Sequence, residues 1–149
     1  PHFLDFKLIL NKSDAGKKAQ DQLKKKLNDG IAKLKKSEQT LRDKEKEIKK
    51  QKKLISADEY KKKVTDLRSK VNKLQNDRKK LFDDVAKMRS KAKAELLKNL
   101  NPIITDFMNE KKIRMVVDKK SLLLADENLD ITDDIMKLLN KKLKSIKLN

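Results

Sequence analysis

Apolar residues in the middle of the chain form two ladders with heptad spacing. In the first ladder they recur every seven residues, at Leu27, Leu34, Leu41, Ile48 and Ile55. In the second they recur at alternating steps of four and three. Its members are Tyr60, Val64, Leu67, Val71, Leu74, Leu81, Val85 and Met88, and Arg78 occupies the position between Leu74 and Leu81. A period of seven divided into four and three is typical of the seam of a left-handed coiled coil.

The two ladders agree with each other when the chain is folded back at Ser56. The resulting pairs are Leu27 with Val85, Ile31 with Leu81, Leu41 with Val71 and Ile48 with Val64. This agreement predicts an antiparallel helical hairpin over residues 13–99, with its turn near 55–58. Ser56 followed by Glu59 has the spacing of a capping box that opens the second helix.

Four layers of this seam contain a charged residue. They are Arg78 opposite Leu34, Glu38 opposite Leu74, Glu45 opposite Leu67 and Lys52 opposite Tyr60. Long charged side chains lay their stems on an apolar partner while the charge stays in water. Such layers fix the register at a cost in stability, so we expect a moderately stable hairpin.

The two ends of the chain carry strand-like patterns. Residues 1–6 are apolar and aromatic, as at the end of a strand, and Ser13 or Asp14 is expected to cap the first long helix. Residues 113–117 alternate and residues 121–125 are almost all apolar, which predicts a β-hairpin.

Between the predicted hairpins, Pro102 is expected to kink or break the chain after the second long helix ends near Asn99. Thr132 is the predicted N-cap of a last helix. The fold class is therefore α+β, with residues 1–12 and 100–149 forming a β-rich body that includes the C-terminal helix. Three strands make a poor sheet alone, so we expect several subunits to complete the body.

Composition supports an elongated helical protein with an anionic partner. Charged residues make up 43% of the chain, aromatic residues 3%, and the net charge is +18. Residues 12–98 hold 30 lysines and arginines against 14 acids, a net charge of +16. That excess is larger than solubility requires, so a partner with negative charge is expected.

The residue types give little support for catalysis. No cysteine is present, which excludes disulfides and thiolate metal sites. The single histidine, His2, lies at a terminus expected to fray, and no glycine-rich loop cradles a phosphate. The acidic group between Asp126 and Asp134 lacks the spacing of a calcium loop. We therefore expect no enzyme activity, no metal and no cofactor.

Several stretches at the two ends resemble the Skp/OmpH family of periplasmic chaperones. They are Phe3-Leu-Asp-Phe-Lys7, Ala15-Gly-Lys-Lys-Ala19, Asn101-Pro-Ile-Ile104, Val116-Val-Asp-Lys-Lys-Ser121 and Asp130-Ile-Thr132. The middle of the chain is similar only in character, as a lysine-rich coiled coil.

The resemblance implies a jellyfish-like homotrimer with a shared β body and three basic helical arms around a cavity. The body residues on this reading are Phe3, Ile113, Met115, Val117, Leu122 and Leu124. It also implies an ATP-independent holdase for unfolded outer-membrane β-barrel proteins, located in the periplasm after loss of a signal peptide. Some members have a proposed lipopolysaccharide site of basic residues on the second arm. Here Arg89 falls on such a position and Lys87 and Lys91 match approximately, so lipopolysaccharide is a candidate partner beside an anionic membrane surface, while the site itself is not carried over.

Two sets of residues on the hairpin are candidates for binding. Off-seam apolar side chains, Leu54 and Phe82, offer weak contacts to a client chain. Seven lysines gather around the predicted turn and suit an anionic membrane surface, namely Lys49, Lys50, Lys52, Lys53, Lys61, Lys62 and Lys63.

Two alternative functions are also compatible with a basic helical hairpin. One is nucleic-acid binding, against which there is almost no aromatic or base-reading interleaving, so no specific nucleic acid is expected. The other is a structural coiled-coil tether with no client. A secretory signal upstream of Phe3 favours the chaperone over the first, and an aggregation assay separates it from the second.

Overall fold

The computed structural model describes residues 1–148, most of which are helical. Its elements are β1 (His2–Leu4), α1 (Phe6–Lys12), α2 (Asp14–Gln51), α3 (Ala57–Lys111), β2 (Val116–Asp118) and α4 (Thr132–Lys142), with single 3₁₀ turns at Lys119–Ser121 and Glu127–Leu129. The chain divides into two compact units. Residues 24–86 form the hairpin unit, and residues 1–23 together with the chain from Lys87 onward form the terminal unit.

The hairpin unit confirms the predicted helical hairpin. Helix α2 ends at Gln51 and α3 begins at Ala57. The Ser56 hydroxyl accepts a hydrogen bond from the Glu59 backbone N–H at 3.2 Å, as the capping motif predicts. Of its residues only Leu74 and Val85 are buried. The two helices are therefore held by a narrow, half-covered seam.

The terminal unit holds most of the hydrophobic core. Buried side chains come from every helix in it, the largest fully buried ones being Ile9, Leu100, Ile135 and Leu139. Helix α4 is tied to the start of the chain because the Asp5 N–H donates to Thr132 Oγ1 and the Asp14 N–H donates to Asn140 Oδ1, both at 2.9 Å.

Short polar side chains set the helix boundaries in the terminal unit. Asp5 accepts from the Leu8 N–H at 3.1 Å and starts α1. Ser13, fully buried, accepts from the Gly16 N–H at 3.1 Å and starts α2, which confirms one of the two predicted caps. Because α1 ends where Ser13 begins the next helix, the chain turns sharply between Leu10 and Gly16.

The predicted β-hairpin near the C-terminus is wrong. Strand β2 pairs in parallel with β1 instead, in the register His2 with Val116, Phe3 with Val117 and Leu4 with Asp118. The reason is local: Asp118 accepts from the Lys120 N–H and begins a 3₁₀ turn, which carries the chain away from β2. Residues 122–125 leave that turn without pairing to β2.

Two predicted boundaries also change. Helix α3 continues through Pro102 to Lys111 rather than ending near Asn99. Leu100, Ile103 and Phe107 are buried on both sides of the proline, and this packing offsets the lost backbone hydrogen bond. Thr132 is not the N-cap of α4, because its hydroxyl donates to Asp130 and accepts from Asp5 while Ile131 occupies the cap.

Candidate functional site

The first candidate surface is the outer edge of the small sheet in the terminal unit. Strand β1 is engaged on both sides, since Phe3 pairs with Val117 and its carbonyl accepts from the Ile131 N–H at 3.0 Å. Strand β2 has a neighbour on one side only in the part of the chain described. Its other edge presents unpaired backbone groups, which is the feature that allows a further strand to add.

An apolar segment follows β2 and is almost fully exposed. The backbone at Leu122 is extended, with φ −105° and ψ 135°. The side chains of Leu123 and Leu124 are 97% and 90% exposed. Asp118 and Asp126 each begin a 3₁₀ turn, so the segment is held at both ends. Consecutive leucines left in water between two hydrogen-bonded turns are a signal of an intermolecular contact.

The predicted body residues divide into inner and outer positions. Phe3 is 6% exposed and belongs to the core of its own chain. Ile113, Val117 and Leu122 are half-buried. Met115 and Leu124 are the exposed members, at 56% and 90%. His2 lies in β1 and is half-buried, so the expectation of a frayed end there is wrong.

Three of the four charged seam positions find partners across the hairpin. Lys52 Nζ lies 5.6 Å from the centre of the Tyr60 ring, as the predicted pairing requires. Glu38 and Arg78, predicted to lie on leucines in adjacent layers, contact each other at 3.7 Å. Arg42 joins the same carboxylate at 3.0 Å. These half-exposed pairs fix register more than they add stability.

The seven lysines around the hairpin turn, called the tip lysines below, differ in whether their side chains interact with other residues. Lys49 pairs with Glu45 at 3.3 Å, Lys52 covers Tyr60, and the half-buried Lys63 donates to Gln51. The other four are exposed, and their side chains form no hydrogen bond, ion pair or ring contact with a described residue, namely Lys50, Lys53, Lys61 and Lys62. Leu54, among them in sequence, is 81% exposed.

The second predicted client contact is Phe82 on α3, which is 50% exposed. An aromatic ring half in water on a strongly basic helix is an available apolar contact. Leu54 and Phe82 are separated by most of the length of the hairpin unit, so they offer two contact points rather than one pocket.

Sequence reasoning missed a cleft between α2 and α3 of the hairpin unit. Lys44 and Lys70 meet there from opposite helices, and Ile48 and Leu67 line its apolar part. The Lys70 side chain lowers the pKa of Lys44, through hydrogen bonding first and charge repulsion second, and Glu47 acts in the opposite direction. Both are ordinary lysines of a basic helix in the sequence, which carries no signal that these two share a cleft.

The described residues contain no group of three or more histidine, cysteine or acidic side chains able to hold a metal ion. Asp118, Asp126 and Asp130 instead accept hydrogen bonds from backbone N–H groups of the turns that follow them. No helix in the described part of the chain is long and apolar enough to cross a bilayer.

Comparison with known proteins gives a structural match and a family match. No curated protein matches the sequence. A solved structure from Caulobacter crescentus CB15, described as a candidate outer membrane chaperone (OmpH-like), superposes with a TM-score of 0.91 at 22% identity, over 98% of this chain and 86% of that one. The family model "Outer membrane protein (OmpH-like)" matches residues 2–139. The chain therefore belongs to the OmpH-like (Skp) family of outer membrane protein chaperones.

Proposed function

We propose that this protein is an ATP-independent holdase that binds unfolded outer-membrane β-barrel proteins in the periplasm and prevents their aggregation. The observation that carries the proposal is a strongly basic helical hairpin, with exposed apolar points, in a chain of the OmpH-like family. Long-range attraction by the basic surface brings acidic unfolded chains close. Weak contacts at Leu54 and Phe82 then hold a client without imposing a fold on it.

The same proposal includes self-association as a homotrimer. The β2 edge and the exposed leucines at 123 and 124 supply a surface that a second copy of the same sheet fits. Three copies would place three basic hairpins around one client. A shared body also explains why each chain leaves an extended apolar segment uncovered.

We expect the purified protein to suppress aggregation of a urea-unfolded outer-membrane barrel protein when the mixture is diluted without nucleotide. Capture should slow as salt rises, because about 0.15 M salt already screens charges beyond roughly 8 Å. Stopped-flow fluorescence across a salt series measures the capture rate. Full aggregation at a threefold molar excess of the protein contradicts the holdase. A capture rate that does not change with salt contradicts only the proposed long-range electrostatic attraction of the client.

We also propose that the hairpin turn contacts anionic membranes through its lysines. Each lysine near an anionic surface adds on the order of 1 kcal/mol. Replacing all seven tip lysines with glutamine should abolish flotation of the protein with phosphatidylglycerol vesicles. Replacing only Lys50, Lys53, Lys61 and Lys62 should remove most of that flotation. Aggregation suppression should persist in both variants.

A control with equal charge loss tests whether the position matters. It replaces seven exposed lysines elsewhere in the hairpin unit, namely Lys24, Lys25, Lys33, Lys35, Lys73, Lys79 and Lys80. This variant should still float better than the tip variant. Equal flotation of the two variants would show that net charge, rather than the turn, directs the contact.

A further inference from the structure

The cleft between α2 and α3 brings together lysines that come from distant positions in the sequence. Its volume is about 250 Å³, and it lies wholly within the hairpin unit. Four residues of each helix line it, namely Lys44, Glu47, Ile48, Gln51, Lys63, Asp66, Leu67 and Lys70. Three lysines against two acids leave its lining positive.

The two central lysines share the cleft, and among the described residues neither of them forms an ion pair with an acidic side chain. Lys44 and Lys70 line the same cleft from opposite helices, and the Lys70 side chain disfavours the charged form of Lys44. Glu47 and Asp66 line the same cleft, yet among the described residues neither carboxylate forms an ion pair. By contrast, Arg78 in the same unit crosses to Glu38. An anion between Lys44 and Lys70 would remove the repulsion.

The rest of the lining suits an oxyanion. Lys63 donates to the Gln51 side-chain carbonyl, which leaves the amide N–H₂ group of Gln51 as a donor beside the cleft. Ile48 and Leu67 form the apolar part of the lining and leave the polar groups on the remaining sides. Two ammonium groups and one amide are donors only, so an acceptor-rich ligand fits them.

We propose that this cleft binds a phosphate dianion, either free or as a monoester headgroup, between Lys44 and Lys70. A dianion neutralises both ammonium groups, whereas a single carboxylate leaves one charge uncompensated. A tetrahedral ligand also presents several oxygens to donors on the two helices. Because the ligand joins α2 to α3, its binding stabilises the folded hairpin by linkage. This site is independent of client capture.

Side-chain nuclear magnetic resonance of isotopically labelled lysines tests the proposal, with inorganic phosphate titrated against chloride at constant ionic strength. We expect saturable shifts at Lys44 and Lys70. The double variant Lys44→Gln with Lys70→Gln should bind phosphate at least tenfold more weakly. The control Lys35→Gln with Lys79→Gln removes the same charge from exposed positions outside the cleft, and its affinity should stay within twofold.

Equal weakening in the two variants would overturn the proposal, because it would show diffuse attraction to the basic surface. The thermal unfolding midpoint gives a second readout, since phosphate should raise it for the wild type and the control but not for the cleft variant. Equal increases in all three proteins would also overturn it. The cleft variant removes a repulsion, so it is expected to fold.

The same variants identify the source of the phosphate. Vesicles containing phosphatidate present a monoester, and matched vesicles containing phosphatidylglycerol present a diester. A preference for phosphatidate that the cleft variant loses identifies a lipid headgroup as the ligand. Dependence on Lys44 and Lys70 for free phosphate alone identifies a soluble ligand. Both results support the cleft, and they separate Lys44 and Lys70 from the four exposed turn lysines, Lys50, Lys53, Lys61 and Lys62, which are expected to bind either lipid.

Discussion

Leu124→Asp is expected to convert the proposed trimer into monomers without unfolding the chain. Leu124 is 90% exposed in the single chain, so the substitution removes almost no packing within it. In the assembly, the carboxylate would lie in an apolar contact without a partner, and an unpaired buried charge costs several kcal/mol. Light scattering at micromolar concentration should change from about three times 17.4 kDa to 17.4 kDa.

Leu54→Asp is the matched control, because Leu54 is similarly exposed, at 81%, but lies at the turn of the hairpin unit. It should remain a trimer. Circular dichroism should show the same helix content for both variants and the wild type. A wild-type protein that is already monomeric, or a trimeric Leu124→Asp variant, would contradict association through residues 122–125.

The helical hairpin could be predicted from the sequence because two independent patterns constrain one register. Each heptad ladder alone predicts a coiled-coil helix, and only one fold-back aligns them. Lys52 over Tyr60 shows that the pairing holds near the turn. What the ladders could not show was the ion pair between Glu38 and Arg78, since each residue had an apolar partner in the expected layer.

The terminal unit was harder to predict because the pairing of its short strands is determined by contacts between residues that are far apart in the sequence. Residues 113–117 and 121–125 have the alternation and spacing of a local hairpin. The observed partner of β2 is β1, more than a hundred residues away, which periodicity does not reveal. The continuation of α3 through Pro102 has a similar cause, since burial of Leu100 and Ile103 overrides a local breaker.

The candidate binding surfaces also include some that the sequence predicts and one that only the structure reveals. Exposure of Leu54 and Phe82 was predictable, because both residues lie off the apolar seam. The cleft at Lys44 and Lys70 was not, since lysines on a basic helix carry no signal of which ones meet. Pairing of like charges across two helices depends on side-chain geometry, and only coordinates supply it.

Gly16→Ala is expected to destabilise the protein strongly, whereas Gly30→Ala in the same helix should be nearly neutral. A Cβ atom at Gly16 would lie 2.0 Å from the Leu10 carbonyl oxygen and 2.9 Å from Ser13 Oγ. The obstacle is backbone at the turn between α1 and α2, and the hydroxyl that would move is the cap of α2. Overpacking of this kind costs about 3 kcal/mol.

Gly30 differs because its neighbour is flexible. A Cβ atom there would lie 2.5 and 2.6 Å from the two methyl carbons of Leu81, at the far end of a side chain that can change rotamer. Alanine is also about 1 kcal/mol better than glycine inside a helix. Gly30 lies in the interior of α2 and receives this gain in full, whereas Gly16 lies in the first turn and receives less of it.

Thermal unfolding followed by circular dichroism measures the difference between the two variants. At about 2–4 °C for each kcal/mol in a chain of this size, Gly16→Ala should lower the midpoint by roughly 5–10 °C. Gly30→Ala should move it by less than about 2 °C. Amide hydrogen exchange should localise the first loss to the terminal unit, at α1 and the start of α2. Equal midpoints for the two variants would show that the close approach of Leu10 to Gly16 relaxes without cost.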